Sequence, residues 1–154
     1  MLPTPRYQRR ADARRLALDL MARHGLDGWT FEFNWRKRTV GLCRYTTKTI
    51  ELSVYLVERN GPDEILDTLL HEIAHALVGP GHGHDAVWKR KCVELGAVPR
   101  ACGDAAMPEG CWKAECAVCG ARFDRHRKPK RLRGWFCRRC GPQRGGLVWK
   151  RAPA

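Results

Sequence analysis

Five consecutive residues near the middle of the chain, His71-Glu72-Ile73-Ala74-His75, combine the side chains that a hydrolytic zinc site uses. On a helix His71 and His75 are one turn apart on one face, where two imidazoles can bind one zinc ion. Zinc lowers the pKa of a bound water to about 7, and the carboxylate of Glu72 lies close enough to take its proton. The motif therefore predicts a zinc hydrolase in which the activated water attacks a carbonyl and Glu72 is the general base.

The residues around this motif predict the helix that it needs. Pro62-Asp63-Glu64 suits a helix start, because proline is tolerated in the first turn and acidic residues favour its positive end. The helix is expected to end at Gly79-Pro80-Gly81. A buried His-Glu-His set would be costly without a metal, which favours a metal site. The apolar neighbours that would bury it are Leu69, Leu70, Ile73, Ala74, Leu77 and Val78.

A catalytic zinc ion usually has three protein ligands, and the spacing leaves the third one open. The metzincin pattern fails, because Val78 and Gly81 stand where Gly and His would be needed. Two histidines follow the Gly-Pro-Gly turn, which could reverse the chain toward the metal. A glutamate on a third predicted helix, from about Asp85 to Leu95, has an aminopeptidase-like spacing. The candidates are His82, His84 and Glu94.

Two C-x-x-C knuckles, Cys116–Cys119 and Cys137–Cys140, stand 17 residues apart near the C-terminus. Two such hairpins bring four thiolates into a tetrahedron, which predicts a zinc ribbon with a closed, structural zinc ion. Each knuckle is followed by a glycine, Gly120 or Gly141, which lets the backbone turn tightly around the metal. We therefore expect two zinc ions, one catalytic and one structural.

The charge is concentrated in the same C-terminal part. Of the formal net charge of +13, residues 1–100 carry +4 and residues 101–154 carry +9. A basic lobe predicts a polyanionic partner, and without a base-reading motif we expect DNA binding without sequence preference. The aromatic side chains of this lobe, Phe123, Trp135 and Phe136, are expected to pack within it. The cations expected to contact phosphates are Arg122, Arg125, Arg127, Lys128, Lys130, Arg131 and Arg133.

The remaining patterns predict an α+β fold. An amphipathic helix over 8–24 precedes three short strands, at about 29–35, 40–45 and 49–53, which we expect to form a meander. The predicted domains are 1–100 for the core, 101–110 for a linker, 111–150 for the ribbon and 151–154 for a tail. No segment approaches the roughly 18 apolar residues of a membrane span, and no signal peptide is visible, so a cytoplasmic protein is expected.

The stretch TLLHEIAHALVGPGHGHDAVWKRKCVELGA, residues 68–97, resembles the SprT-like/Spartan metallopeptidase core. That family places a third histidine after the motif helix, with an aromatic residue four positions later. His84 and Trp88 match this spacing, whereas His82 would put Ala86 at the aromatic position. The resemblance therefore implies His84 as the third ligand, before His82 and Glu94. Trp88 is expected to be core packing near the site.

The resemblance extends upstream through GLDGWTFEFNWRKRTVGLCRY and TIELSVYL, and covers roughly residues 10–100. It implies a zincin-like fold of the gluzincin type, and many members also carry a zinc ribbon. It further implies a metalloendopeptidase. Some members act in DNA repair on proteins cross-linked to DNA, so association with the nucleoid is part of this expectation. The competing hypotheses are a nucleic-acid-binding ribbon protein with a regulatory or inactive core, and a hydrolase of non-peptide amides.

Overall fold

The computed structural model describes residues 6–101 and 103–153 of the chain. Residues 1–5, Cys102 and Ala154, which belong to the predicted core, linker and tail, lie outside the described residues. The chain divides into two compact units, with the boundary between Met107 and Pro108. Helices and a small sheet make up the first unit and short strands dominate the second, so the predicted α+β class is confirmed. The elements of the first unit are α1 (Arg6–Arg23), β1 (Thr30–Asn34), β2 (Gly41–Arg44), β3 (Thr49–Ser53), α2 (Val54–Arg59), α3 (Pro62–Val78) and α4 (Ala86–Leu95).

Helix α1 buries one face against the core of the first unit, as its apolar spacing predicts. Ala13, Ala17, Leu20 and Met21 lie in the core, where they join Ile73 of α3 and other buried apolar residues. The helix ends where the chain turns at glycine 25, which adopts a left-handed φ of 71°. Burial of this face stabilises the helix that supports β1.

The three strands form one sheet, but the predicted meander is wrong. The order is β1-β3-β2, with β1 parallel to β3 and β2 antiparallel to β3. A tight turn joins β2 to β3, and Lys48 in that turn adopts a left-handed φ of 48°. All five residues of β3 are buried. The most buried strand, β3, lies at the centre of the sheet, where it pairs with a neighbour along each edge. Strands β1 and β2 are the two edge strands.

Helix α2 is an element that the sequence patterns did not predict. It has six residues, too few for a helical period to stand out. Its signal is Ser53 at the N-cap, whose side-chain oxygen accepts a hydrogen bond from the backbone N–H of Tyr55 at 3.2 Å. The helix therefore starts directly where the central strand ends.

Helices α3 and α4 begin and end close to the predicted positions. Pro62 starts α3, and Gly79 at its end has a φ of 84°. Asp85 caps α4, because its Oδ1 atom accepts hydrogen bonds from the backbone N–H groups of Val87 at 2.9 Å and Trp88 at 3.0 Å. The turn between Gly79 and Asp85 is thereby held at both ends.

The second unit is built from short strands around the two cysteine knuckles. Among the described residues, its buried apolar cluster consists of Ala114, Cys116, Cys137, Leu147 and Trp149. Within the described residues, no helix of either unit is long and apolar enough to cross a membrane. The elements of the second unit are β4 (Trp112–Glu115), β5 (Arg122–Arg125), β6 (Trp135–Phe136), α5 (Gly141–Arg144), β7 (Gly146–Leu147) and β8 (Lys150–Arg151).

Candidate active site and structural metal centre

Three histidine rings converge at the C-terminal part of α3. His84 lies between the other two, with its Nε2 atom 3.1 Å from that of His71 and 3.2 Å from that of His75. Helix α3 presents His71 and His75 one turn apart, as predicted, and the Gly-Pro-Gly turn folds His84 back onto them. These three residues form a group that could hold a metal ion.

The geometry and the electrostatics of this histidine group fit zinc. Imidazole nitrogens bound to one tetrahedral zinc ion at about 2.0–2.1 Å are about 3.3 Å apart, close to the observed separations. Burial and the neighbouring rings lower the pKa of His71 to about 4, and burial and His84 lower the pKa of His75 to about 4. Both rings are therefore neutral near pH 7, and their lone pairs are available to a metal.

The two other candidates for the third ligand lie outside this group. The Nδ1 atom of His82 is 2.8 Å from Oδ2 of Asp85, the residue that caps α4. Glu94, near the end of α4, forms an ion pair with Lys91. Sequence spacing left these residues open as alternatives. The backbone carbonyl of His82 accepts a hydrogen bond from the ring of His75, but neither the His82 imidazole nor Glu94 belongs to the histidine group.

Glu72 lies beside the histidine group in a tightly enclosed position. Its side chain is 6% exposed. Burial raises its pKa to about 8, and a hydrogen bond from the backbone N–H of Cys43 acts in the opposite direction. On the other side stands Gly41 of β2, where an added Cβ atom would lie 2.6 Å from Oε1 of Glu72. The glycine leaves the space that the carboxylate occupies.

Trp88 forms the floor beneath all three histidines. Its ring centroid is 4.6 Å from that of His71, 5.1 Å from that of His75 and 4.5 Å from that of His84. The residue is 0% exposed, which agrees with its predicted role in packing. Its Nε1 atom is buried without a hydrogen-bond partner among the described residues. Packing rather than hydrogen bonding therefore holds the indole ring of Trp88 in place, and the indole limits the orientations of the three imidazoles.

An open cleft of about 590 Å³ gives access to these side chains. Strand β2 and the loop before it line this cleft, and a segment after α4 contributes Arg100, Ala101, Gly103, Ala105 and Met107. Val98 and Ala106 fix this second segment, through hydrogen bonds from their N–H groups to Asp67 at 2.7 Å and Asn60 at 2.7 Å. Ala105 and Met107, within the predicted linker, pack against the core of the first unit.

Strand β2 and Tyr45, the residue directly after it, contribute site residues that sequence analysis did not identify. Gly41, Cys43 and Tyr45 all line the cleft. The Tyr45 hydroxyl donates to the carbonyl oxygen of His75 at 3.2 Å, which ties the strand to the end of the motif helix. No sequence motif marks these residues, because a short strand carries no signal of which helix it will face.

Replacing Gly41 with Ala is expected to reduce hydrolysis by about 100-fold while zinc remains bound. The new methyl group would displace the carboxylate of Glu72, and a misplacement of about 1 Å at a reacting group costs on that order. Peptidase assays and metal analysis of the purified variant measure both effects. Gly28→Ala is the control, since a Cβ there meets no described atom within 4 Å. Full activity in Gly41→Ala would contradict this account of Glu72.

The four knuckle cysteines form the second possible metal group, in the second unit. The Sγ atoms of Cys119 and Cys137 are 3.7 Å apart. Sulfurs bound to one tetrahedral zinc ion at about 2.3 Å lie about 3.8 Å apart, so the cluster fits zinc and not a disulfide. Backbone N–H groups of Cys119 and Val118 hold the pKa of the Cys116 thiol below its usual value, which favours the thiolate.

The predicted turn role of the knuckle glycines is confirmed. Gly120 has a φ of 68° and Gly141 a φ of 73°, both in the left-handed region. Their N–H groups donate to the carbonyl oxygens of Cys116 at 2.8 Å and Cys137 at 2.9 Å, which closes each knuckle. Cys111 is exposed and lies outside the cluster.

The basic residues of the second unit fall into two groups. Arg125 is half-buried, and its guanidinium carbon lies 4.3 Å from the ring centroid of Trp135 and 5.3 Å from that of Trp149. Trp135 and Phe123 pack against the small core as expected, but Phe136 is 49% exposed, so the expected packing is wrong for that residue. Of the cations expected to contact phosphates, the exposed ones are Arg122, Arg127, Lys128, Lys130, Arg131 and Arg133.

A model of the SprT-like family matches residues 13–107. The chain belongs to the SprT-like family. The match covers the first unit, including the histidine group and Glu72, and supports a metallopeptidase-type function at the level of the family. The ribbon cysteines lie outside the match. No solved structure matches this SprT-like chain.

Proposed function

We propose that this SprT-like protein is a zinc-dependent endopeptidase that acts on proteins bound or cross-linked to DNA. The observation that carries the proposal is that three histidines and one buried glutamate lie together in an open cleft. Structural zinc sites are closed by four protein ligands, whereas three ligands leave a position open for chemistry. The histidine group therefore has the composition of a catalytic site.

His71, His75 and His84 would hold the zinc ion, with Trp88 packed beneath their rings. When bound, zinc supplies an acidified water molecule and polarises a substrate carbonyl. Glu72 accepts a proton from the attacking water and donates it to the leaving nitrogen of the peptide bond. Cys43 and Gly41 keep the Glu72 carboxylate in place during both transfers.

The shape of the cleft favours a polypeptide over a small amide. Strand β2 lies at the edge of its sheet and lines the cleft along its length. An extended peptide can bind beside such a strand through backbone hydrogen bonds, independently of its own sequence. This supports an endopeptidase with broad sequence tolerance.

The charge of the ribbon supports the DNA part of the proposal. The six exposed cations between its two knuckles can contact phosphates, and they carry no motif that would read bases. Arg125 is a weaker candidate for phosphate contact than predicted, because its guanidinium stacks between tryptophan rings. Binding to DNA would raise the local concentration of DNA-bound substrates. A location in the cytoplasm, on the nucleoid, is part of this proposal.

The alternative is a nucleic-acid-binding protein whose metallopeptidase core is inactive. Glu72 argues against it, because a buried carboxylate beside three histidines is costly to keep, and among the described residues its hydrogen-bond partner is the Cys43 N–H alone. An inactive core would be more stable with an apolar residue at this position.

The test combines zinc analysis with cleavage of a DNA-binding protein, with and without single-stranded DNA. We expect two zinc ions in the wild type, one in His84→Ala and two in the control His82→Ala, in line with the two ligand groups. Cleavage is expected to increase about tenfold or more when substrate and enzyme share one DNA strand. Two zinc ions in His84→Ala would contradict the ligand assignment. A single zinc ion in the wild type, with no cleavage, would favour the inactive core.

A further inference from the structure

An exposed tryptophan stands at the end of β1 in the first unit. Trp35 is 63% exposed, an unusual position for the largest apolar side chain. It is followed by three consecutive cations, Arg36, Lys37 and Arg38, all of which are exposed. Neither the proposed hydrolysis nor the core of the unit uses these residues, except that Arg38 also lines the cleft.

Trp35 is held in place from two directions. The guanidinium carbon of Arg10, on α1, lies 5.1 Å from its ring centroid, and the ring of Tyr55 meets it edge-on at 6.0 Å. Arg14, one turn after Arg10, lies in the same way over Phe31, the buried aromatic residue of β1. Trp35 thus continues, beyond the end of β1, the row of aromatic rings that begins at Phe31, and part of its own ring is open to solvent.

Hydrogen bonds also hold the backbone of the basic loop. The N–H of Arg36 donates to Oδ1 of Asn34 at 2.9 Å, and the Ser53 hydroxyl donates to the carbonyl oxygen of Arg36 at 2.7 Å. The N–H of Ser53 donates to the carbonyl oxygen of Val40 at 2.8 Å, which closes the loop. A loop with a fixed backbone loses little entropy when it binds a ligand.

The surface around Trp35 is strongly positive. Arg6 and Arg10 of α1 both pair with the carboxylate of Glu58, and Arg9 donates to the backbone carbonyl oxygen of Glu58 at 3.3 Å, so three cations share one negative charge. Excess positive charge beside an exposed aromatic ring fits phosphates and unpaired bases. We name this the Trp35 surface, and its members are Arg6, Arg9, Arg10, Trp35, Arg36, Lys37, Arg38 and Tyr55.

We propose that the Trp35 surface binds a single-stranded nucleic acid, with a base stacked on Trp35 and phosphates held by Arg36 and Lys37. Stacking requires unpaired bases, because duplex bases are covered by their neighbours. An acidic protein could use the charges but would gain nothing specific from the open ring. Arg38 continues the surface into the cleft that contains Glu72, so a bound strand would pass beside the cleft.

This inference deepens the DNA part of the proposed function and rests on it for its biological meaning, but not on hydrolysis. The binding site lies on the first unit and is separate from the cations of the ribbon. Cleavage of a DNA-free protein substrate therefore tests the peptidase, and oligonucleotide affinity tests the Trp35 surface. Each can fail while the other holds.

The experiment measures the affinity of the full chain for fluorescent dT20, U20 and a 20-base-pair duplex by anisotropy over a range of salt concentrations. Trp35→Ala is expected to weaken binding of dT20 by about 5- to 150-fold, the effect of losing one stacked base. The double variant Arg36→Gln, Lys37→Gln is expected to reduce the salt slope by about 1.4, because each single-strand phosphate contact contributes about 0.7. Affinity for the duplex should change much less in Trp35→Ala.

Two matched controls separate the effect of losing positive charge from the effect of losing the aromatic ring. Lys89→Gln, Arg90→Gln removes two exposed cations from α4 and should leave dT20 affinity and salt slope close to those of the wild type. Trp35→Tyr should retain most of the affinity, since the ring still stacks. A loss with dT20 alone, and not with U20, would assign the surface to DNA. Unchanged dT20 affinity in Trp35→Ala would overturn the proposal and point to a protein partner for this surface.

Discussion

Replacing Glu72 with Gln is expected to lower the rate of peptide hydrolysis by about 10²- to 10⁴-fold, the usual contribution of a general base. Gln keeps the size and shape of the side chain, so the contact with Gly41 and the buried position are preserved. What it loses is the ability to accept the proton of the attacking water. The variant should bind the same amount of zinc as the wild type, because Glu72 is not a member of the histidine group.

Glu94→Gln is the matched control for this prediction. It makes the same change on α4, at a residue that pairs with Lys91 and lies outside the histidine group. Cleavage rates and zinc content of both variants, measured on one substrate, separate a chemical role from a general effect of losing a carboxylate. Loss of activity in Glu94→Gln, with Glu72→Gln active, would reverse the assignment of the two glutamates.

Replacing Cys137 with Ser is expected to unfold the second unit and leave the first unit folded. Among the described residues the buried cluster of the second unit has five members, and two of them are cysteines of the candidate metal group, so it has little apolar area to offset the entropy of folding. Structural zinc binding contributes about 10–16 kcal/mol in comparable small domains. Loss of one thiolate should therefore remove the metal and the fold together.

Limited proteolysis measures this outcome, because an unfolded second unit would be cut at many sites beyond Pro108 while residues before Met107 resist. Cys111→Ser is the control, since Cys111 is exposed and lies outside the cluster. This variant should retain both its zinc ion and its resistance to the protease. A zinc-free but protease-resistant second unit in Cys137→Ser would show that its small core is sufficient without the metal.

Sequence alone determined the parts of this protein that depend on local spacing. The pair His71 and His75, with Glu72 beside it, follows from the period of one helix, whose start and end are marked by proline and glycine. The two cysteine knuckles likewise close through local turns at Gly120 and Gly141. The capped start of α4 at Asp85 is local in the same sense. Such features need no information about the rest of the chain.

Only the tertiary structure decided which residues meet across long separations. Spacing left His82, His84 and Glu94 open, and the path of the turn before α4 places His84 alone among them against the pair. The order of the strands is non-local in the same way, because it depends on which strand is most completely buried.

Gly41 and Trp35 show the physical reason most clearly. Both are ordinary residues of short strand and loop segments, and no local pattern distinguishes them. Gly41 is required because the carboxylate of Glu72 would be 2.6 Å from a Cβ atom added at this position. Trp35 is a candidate binding residue because Arg10 of α1 lies over its ring and because the fold leaves the residue exposed to solvent. Contacts between distant segments are set by packing of the whole unit, so they lie beyond what spacing can specify.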